Sequence, residues 1–253
     1  MRVLITAGAS GIGAAAARAF AARGDTVAVC DVDQAALDAL KADHPEIDCS
    51  LCDVASEDSI DTLFDRVEEH LGGVDVVWAN AGTAGPAGPI EHIALDDWRS
   101  TLAVNLDGAF LTARRAAPLF KAQGQGLLLF TSSSAGLLAY PNRTPYASAK
   151  WAIGGLTRAL AMELGEHGIR VNAIAPGAVT GDRMERVVAA EAQARGLSIE
   201  TVRDSYVKGV AMKTWVDADD IVNTALFLAS PAGNKVSGQV LSVDGYTDTI
   251  APY

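Results

Sequence analysis

A single α/β domain built on a doubly wound parallel sheet is the fold class this sequence predicts, and three observations predict it. Short apolar, β-branched runs alternate with longer amphipathic segments from the first residues to about position 175, the pattern of strands joined by crossover helices. The first of these runs feeds a glycine-rich turn that opens directly into an alanine-rich helix. No internal repeat, low-complexity tract or linker divides the 253 residues, and a chain of this length buries one sizeable core.

The predicted strands are Val3–Thr6, Thr26–Asp31, Asp48–Asp53, Val74–Asn80, Gly126–Ser132 and Arg170–Ala175, with a late one at Gln239–Val243. The periodicity between them predicts helices over Ile12–Arg23, Gln34–Asp43, Glu57–Leu71, Asp96–Lys121, Tyr146–His167 and Asp217–Ala229. Gly24 and Gly168 follow two of these helices as C-caps, and Asp217 with Asp220 reads as an N-cap with an acidic first turn. The least regular stretch runs from Gly177 to Val216, where Gly181, Gly196 and Gly209 interrupt two weakly amphipathic helices. Within one domain spanning residues 1–253, this stretch, about 177–216, reads as a substrate loop.

Acidic residues outnumber basic ones 31 to 20, a net charge of −11 with no Lys/Arg run. Such a surface repels phosphate backbones and anionic headgroups, so neither nucleic acid nor membrane is expected as a partner. No stretch has the length of a membrane span, and the apolar run Val3–Thr6 is too short for a secretory signal. Three cysteines do not make a disulfide framework, and a reducing, cytoplasmic setting is expected. Cys49-x-x-Cys52 has the spacing of half a zinc or redox site, with Cys30 and His44 as further ligands. In a strand, however, period two sends the two thiols to opposite faces. Buried apolar roles and no metal are expected.

The turn after the first strand reads Ala7-Gly8-Ala9-Ser10-Gly11-Ile12-Gly13. Glycine lets the backbone approach a pyrophosphate, and the helix start behind it favours negative charge. Asp31 lies 18 residues after Gly13 at the end of the next strand, where a carboxylate reaches the ribose hydroxyls of a dinucleotide. With Ser10 in the turn and Val32 after the aspartate, no cation is in view for a 2′-phosphate, so NAD is favoured over NADP. A capping carboxylate is the competing account of Asp31. Tyr146 and Lys150, spaced i, i+4 after Pro145, project from one helix face. An ammonium beside a phenol stabilises the phenolate, which suits a general acid/base acting on an alcohol or carbonyl. Ser133 stands at the same sheet edge.

In order along the chain, Thr6-Ala7-Gly8-Ala9-Ser10-Gly11-Ile12-Gly13, Asp53-Val54, Asn80-Ala81-Gly82, Asn105, Ser133, Tyr146-x-x-x-Lys150 and Pro176-Gly177 resemble the motifs of the classical short-chain dehydrogenase/reductase family. The match spans nearly the whole sequence. It implies a Rossmann-type sheet, reversible hydride transfer between a nicotinamide and a carbinol carbon, and a homotetramer packed through the fourth and fifth predicted helices and the C-terminal segment. By that resemblance Tyr146 is the acid/base and Ser133 positions the substrate oxygen. Lys150 binds the nicotinamide ribose and favours the phenolate, and Asn105 holds a water in a proton relay. Gly8, Ser10, Gly11, Ile12 and Gly13 would meet the pyrophosphate, Asp53 with Val54 the adenine, Asn80, Ala81 and Gly82 the adenosine side, and Pro176, Gly177 and Val179 the nicotinamide. The resemblance selects Ser133 over Ser132 and Ser134, because it stands 13 residues before Tyr146 and three before Gly136, where the family's serine usually falls; its neighbours read as strand-end hydrogen-bonders.

The chain departs from the family pattern at four points. Ala7 replaces the first motif glycine, Ala79 replaces an asparagine, Gly181 stands where a threonine is usual with Thr180 one step early, and Tyr246 follows Gly245. Tyr140, Asn142, Arg143, Met184 and Trp215 are candidates for the substrate wall, Arg143 as a partner for an anionic group. The expected activity is NAD-dependent oxidoreduction of a secondary alcohol or ketone, a small molecule such as a sugar, polyol or hydroxy acid. Its rivals are an NADPH-dependent 3-oxoacyl reductase, which Asp31 disfavours, and a non-catalytic dinucleotide sensor, which has no need of the phenol.

Overall fold

The computed structural model describes residues 1–250. The described strands are β1 (Arg2–Thr6), β2 (Thr26–Asp31), β3 (Asp48–Leu51), β4 (Val76–Ala79), β5 (Gly126–Thr131), β6 (Ile169–Pro176) and β7 (Val240–Val243). All pair in parallel, in the order β3-β2-β1-β4-β5-β6-β7. The chain therefore winds outward from β1 in one direction and then from β4 in the other. The reversal between β1 and β4 opens a crevice at their carboxyl ends, the place where doubly wound sheets bind ligands.

The helices are α1 (Gly11–Ala22), α2 (Gln34–Asp43), α3 (Glu57–Leu71), α4 (Leu95–Leu102), α5 (Gly108–Gln123), α6 (Thr144–Leu164), α7 (Asp182–Arg195), α8 (Ile199–Lys208) and α9 (Ala218–Ala229). Period-two alternation divides the core between the two faces of the sheet. Val3, Ile5, Val29 and Trp78 pack with α1, α2 and α9, while Leu4, Cys30, Val77 and Phe130 pack with α3, α5 and α6. Because both faces are apolar and covered, polar chemistry is confined to the strand ends. Cys30 and Cys52 share the second of these cores, whereas Cys49 packs toward the first, as the period-two argument expects.

Three predicted boundaries are corrected. The single helix expected over Asp96–Lys121 is α4 and α5 joined by a π-turn at Ala103–Asp107. There the Asn105 side-chain amide donates to the Thr101 carbonyl at 2.8 Å, occupying the acceptor that a regular α-turn would use. The third strand stops at Leu51 rather than Asp53, because the Asp53 carboxylate accepts the Ala55 N–H at 2.9 Å and turns the chain. The fourth strand ends at Ala79: the Asn80 and Ala81 N–H groups both donate to the Thr6 hydroxyl at 3.0 Å. That contact ties the end of β4 to the end of β1.

The excursion between Gly177 and Val216 folds as α7 and α8 around a small core of Val188, Ala192 and Val202. Its base is pinned by a parallel bridge between Val179 and Val216. Gly196 closes α7 in the left-handed conformation, and Gly209 caps α8. At the far side of the excursion, α9 begins as expected: the Asp220 carboxylate accepts the Asp217 N–H at 2.9 Å.

The turn after β1 carries a strain that the sequence departure at Ala7 introduces. Ala7 has φ +50, a left-handed conformation that costs a Cβ-bearing residue about 1–2 kcal/mol. Ala7→Gly is therefore expected to raise the unfolding free energy by roughly 0.5–1 kcal/mol, after allowing for glycine's greater freedom in the unfolded chain. A urea midpoint that fails to rise would show that the turn bears no such strain.

Candidate active site

The carboxyl ends of β1, β4, β5 and β6 open into a cleft of about 940 Å³, the upper part of the range for ligand sites. At one end the turn Ala7–Gly13 leads into α1. Ser10, Gly11 and Ile12 line the cleft, and Gly11, at φ +51, has open space where a Cβ would stand. Gly8 and Gly13 do not line it; they permit close packing behind the turn. A Cβ on Gly8 would meet Val29, and one on Gly13 would meet the Ala7 carbonyl and the Asn80 amide. A turn of this shape, with a helix start behind it, could hold an anionic group such as a phosphate.

Asp31 lines the cleft beside this turn. Its carboxylate accepts from the Ala9 N–H at 3.1 Å and the Asp33 N–H at 3.2 Å. Asp31 therefore braces the turn and also lines the cleft. No cation pairs with it among the described residues. Asp53 and Val54 line the next part of the wall, followed by Asn80, Ala81 and Gly82. Asn80 is also structural. Its amide donates to the carbonyls of Thr6 (3.1 Å) and Ala7 (3.3 Å), and its own oxygen accepts from the Thr131 hydroxyl (2.9 Å).

At the other end stand Ser133, Tyr146 and Lys150, all lining the cleft. Ser132 donates to the Lys150 carbonyl at 3.0 Å, and Ser134 donates to the Pro176 carbonyl at 3.1 Å. Both neighbours are committed to the scaffold. The Ser133 oxygen accepts only from the Ala135 N–H at 3.1 Å, which leaves its proton free for a ligand. Pro145 sits in the first turn of α6, so Tyr146 and Lys150 rise from one face, with the Lys150 Nζ 5.8 Å from the Tyr146 ring centre.

Lys150 is buried and its Nζ donates to the Thr131 carbonyl at 2.7 Å. Burial, and secondarily the field of Arg183, pull its pKa down from the ordinary 10.5 to about 7. Asn105 approaches from the π-turn, its amide held by the carbonyls of Thr83 (3.0 Å) and Thr101 (2.8 Å). Its Oδ1 is buried without a hydrogen-bond partner among the described residues. A Cβ on Gly82 would lie 2.8 Å from that oxygen and 3.3 Å from the Lys150 Nζ. Gly82 therefore separates an orphaned acceptor from a buried ammonium, an arrangement that suits a bridging water.

Pro176, Gly177 and Val179 line the cleft where β6 ends. Gly177 passes within reach of Asp244, so a side chain there would collide. The hydroxyl of Thr180 donates to Asp217 at 2.6 Å; it anchors the base of the excursion instead of standing in for the missing threonine at 181.

Of the substrate-wall candidates, Tyr140, Arg143 and Met184 line the cleft. Two are corrected. Asn142 is an exposed turn residue at φ +59 whose carbonyl accepts from Gly88. Trp215 packs away from the cleft against Tyr206, ring centres 5.9 Å apart, with the Arg203 guanidinium over its face. Tyr246 also stays out, with a 72% exposed ring. Sequence reasoning missed Tyr206, Arg183 and Arg186, which reach the cleft from α7 and α8. Nothing in their spacing marks them, because the fold of the excursion decides which face they occupy.

Known proteins resemble this chain along nearly its whole length. A family model described as enoyl-(acyl carrier protein) reductase matches residues 6–247. Levodione reductase of Leifsonia aquatica is 31% identical over 252 residues, covering 96% of this chain and 92% of the relative. 7alpha-hydroxysteroid dehydrogenase of Escherichia coli (strain K12) is 35% identical over 246 residues, again covering 96% and 92%. Among solved structures, NAD+-bound xylitol dehydrogenase matches with a TM-score of 0.93 at 28% identity, over 97% of this chain and 98% of that one.

The burial of Lys150 has a measurable consequence. Below pH about 7 both folded and unfolded chains carry its proton; between about 7 and 10.5 only the unfolded chain keeps it. The unfolded state then binds more protons, so this group makes stability rise with pH across that window. The urea midpoint of the cofactor-free protein, minus that of Lys150→Met, is expected to climb from pH 7 toward 10. A difference that stays flat would mean the ammonium is not desolvated.

Proposed function

The chain belongs to the short-chain dehydrogenase/reductase family, and from that premise we propose that it is an NAD-dependent oxidoreductase acting on the secondary alcohol or ketone of a small polar molecule. The observation that carries this reading is the convergence of Ser133, Tyr146 and Lys150 on one cleft whose far end is the glycine-rich turn beside Asp31. A nicotinamide bound there supplies a reversible hydride acceptor. In the proposal Ser10, Gly11 and Ile12 hold the pyrophosphate, with Gly8 and Gly13 shaping the turn. Asp31 accepts the ribose hydroxyls and rejects a 2′-phosphate through charge repulsion. Asp53 and Val54 take the adenine, Asn80, Ala81 and Gly82 the adenosine side, and Pro176, Gly177 and Val179 the nicotinamide.

The chemical step is a proton transfer at the Tyr146 hydroxyl. In oxidation the phenolate removes the carbinol proton, and in reduction the phenol returns it. The Ser133 hydroxyl donates to the substrate oxygen and fixes the distance to Tyr146. Where it carries its proton, Lys150 stabilises the phenolate from a site with little solvent, where a charge acts strongly. Asn105 completes a proton path through its unpartnered oxygen. The three-part set argues for turnover over a purely sensing role, because a sensor needs no acid/base.

The cleft lining mixes polar side chains, Tyr140, Arg143 and Tyr206, with the apolar Met184 and Ile250. That mixture supports a sugar, polyol or hydroxy acid. The exposed Phe110, Trp151 and Met162 on α5 and α6 support packing of subunits through these helices into a homotetramer.

Tyr146→Phe is expected to lower kcat by about 10²–10⁴-fold while leaving NADH affinity unchanged within error. A variant that keeps most of its rate would remove Tyr146 from the mechanism. Asp31→Ala is expected to lower the ratio of kcat/KM for NAD over NADP by roughly 10–100-fold, the worth of hydrogen bonds to a charged group. An unmoved ratio would assign cofactor choice elsewhere.

A further inference from the structure

We propose that the substrate carries an anionic oxygen group, carboxylate or phosphate, and that Arg143 recognises it. This deepens the oxidoreductase reading of the same cleft and rests on it.

Four observations carry the inference. First, Arg143 is buried, only 8% exposed, and lines the cleft one helical turn before Tyr146. Second, it has no carboxylate partner among the described residues. Its protein contacts are hydrogen bonds from Nη1 to the Ala84 and Gly85 carbonyls, both long at 3.5 Å, and its guanidinium lies 6.0 Å from the Tyr140 ring centre. Its Nε and Nη2 donate to no acceptor among the described residues and are not fully buried. A buried guanidinium with unused donors carries an uncompensated desolvation cost, which an anionic ligand offsets. Third, the acidic group whose field reaches this wall is already engaged: Glu191 accepts from Arg195 at 2.7 Å and from the Tyr206 hydroxyl at 2.8 Å. Fourth, further cations reach the same cleft: Arg183, whose field acts on Lys150, and Arg186 line it from α7 together with Asp182. In a chain of net charge −11, these cations stand against the overall field.

The chemistry selects the ligand class. A planar guanidinium with two free N–H directions matches a pair of anionic oxygens, and a neutral hydroxyl gives it neither charge nor a second acceptor. The recognised group sits beyond the reacting carbon, because Ser133 and Tyr146 take the carbinol oxygen. The substrate is thus a hydroxy acid, or a sugar or polyol bearing an acidic or phosphate group, and the matching oxo compound in reverse.

The test uses the full chain with NAD and matched pairs of probes: 3-hydroxybutyrate and gluconate against their amides, and sorbitol 6-phosphate against sorbitol. Wild type is expected to favour the anion of at least one pair, and Arg143→Gln to collapse that kcat/KM ratio by about 10²-fold, mainly through KM. Arg143→Lys, which keeps the charge and loses the fork, is expected to fall between them. NADH affinity, read by fluorescence, checks that the variants remain folded. Preference for the carboxylates or for the phosphate identifies the group. Equal turnover of both members of every pair, or a ratio unmoved by Arg143→Gln, overturns the proposal. If NADH binds and no probe is turned over, the oxidoreductase reading fails on this panel. The Arg143 inference is then decided by thermal shift of the NADH complex. Stabilisation by the anions over their neutral counterparts, lost in Arg143→Gln, supports it; no such difference refutes it.

Discussion

A parallel sheet buried on both faces offers chemistry only at its strand ends, and here the ends of three strands are joined through one side-chain amide. Asn80 donates to the carbonyls of Thr6 and Ala7 at the end of β1 and accepts from Thr131 at the end of β5. The Thr131 hydroxyl in turn accepts the indole N–H of the fully buried Trp78 at 2.9 Å, and the Thr131 carbonyl accepts the Lys150 ammonium. Hydrogen bonds therefore run from the glycine-rich turn to the lysine. The side-chain polar atoms of Trp78, Asn80 and Thr131 along this path all have partners, the condition under which a buried network rigidifies a site. The distance between the two halves of the cleft is set by the scaffold and not by flexible loops.

The second constraint is the buried Lys150. An ammonium held away from water tends to lose its proton, and the surrounding structure gives it one carbonyl and a nearby amide oxygen. The π-turn at Ala103–Asp107 is what delivers that amide. A regular helix would rotate Asn105 away; the i→i+5 turn lets its amide hold two carbonyls while its oxygen stays unpartnered beside Gly82. Local helical irregularity and an orphaned acceptor, each unfavourable alone, occur together at the residue that faces the lysine.

Most of the fold was legible because its signals are local. Thr26–Asp31, Gln34–Asp43 and Glu57–Leu71 have the predicted bounds, since a two-residue or 3.6-residue period ends sharply at a cap or turn. Ser133, the serine that the family resemblance selects, is also the one of the three whose hydroxyl proton has no acceptor among the described residues, while Ser132 and Ser134 donate to backbone carbonyls. What escaped depends on competition between distant groups. The π-turn arises from a side-chain amide taking a backbone carbonyl, which hydropathy does not register. Asn142 and Trp215 sit on segments whose direction depends on a left-handed turn and on the small core of the excursion. The strain at Ala7 is visible only once its φ is known.

These two sources of structure also divide the work of the cleft. The braced strand ends hold the groups that any nicotinamide-linked alcohol chemistry requires, and they tolerate little change, as the collisions behind Gly8, Gly13 and Gly177 show. The substrate wall is drawn instead from the segment before α6 and from an excursion with its own core, tied to the sheet at Val179–Val216 and by Thr180 to Asp217. A substitution in α7 or α8 can therefore reshape the wall while the Asn80 network keeps the reacting groups in register. Tyr206 couples the two: its hydroxyl donates to Glu191 on α7 and lies 3.3 Å from that of Tyr140. Through that pair of phenols the excursion is seated against the residues beside Arg143, so its position is referenced to the segment before α6.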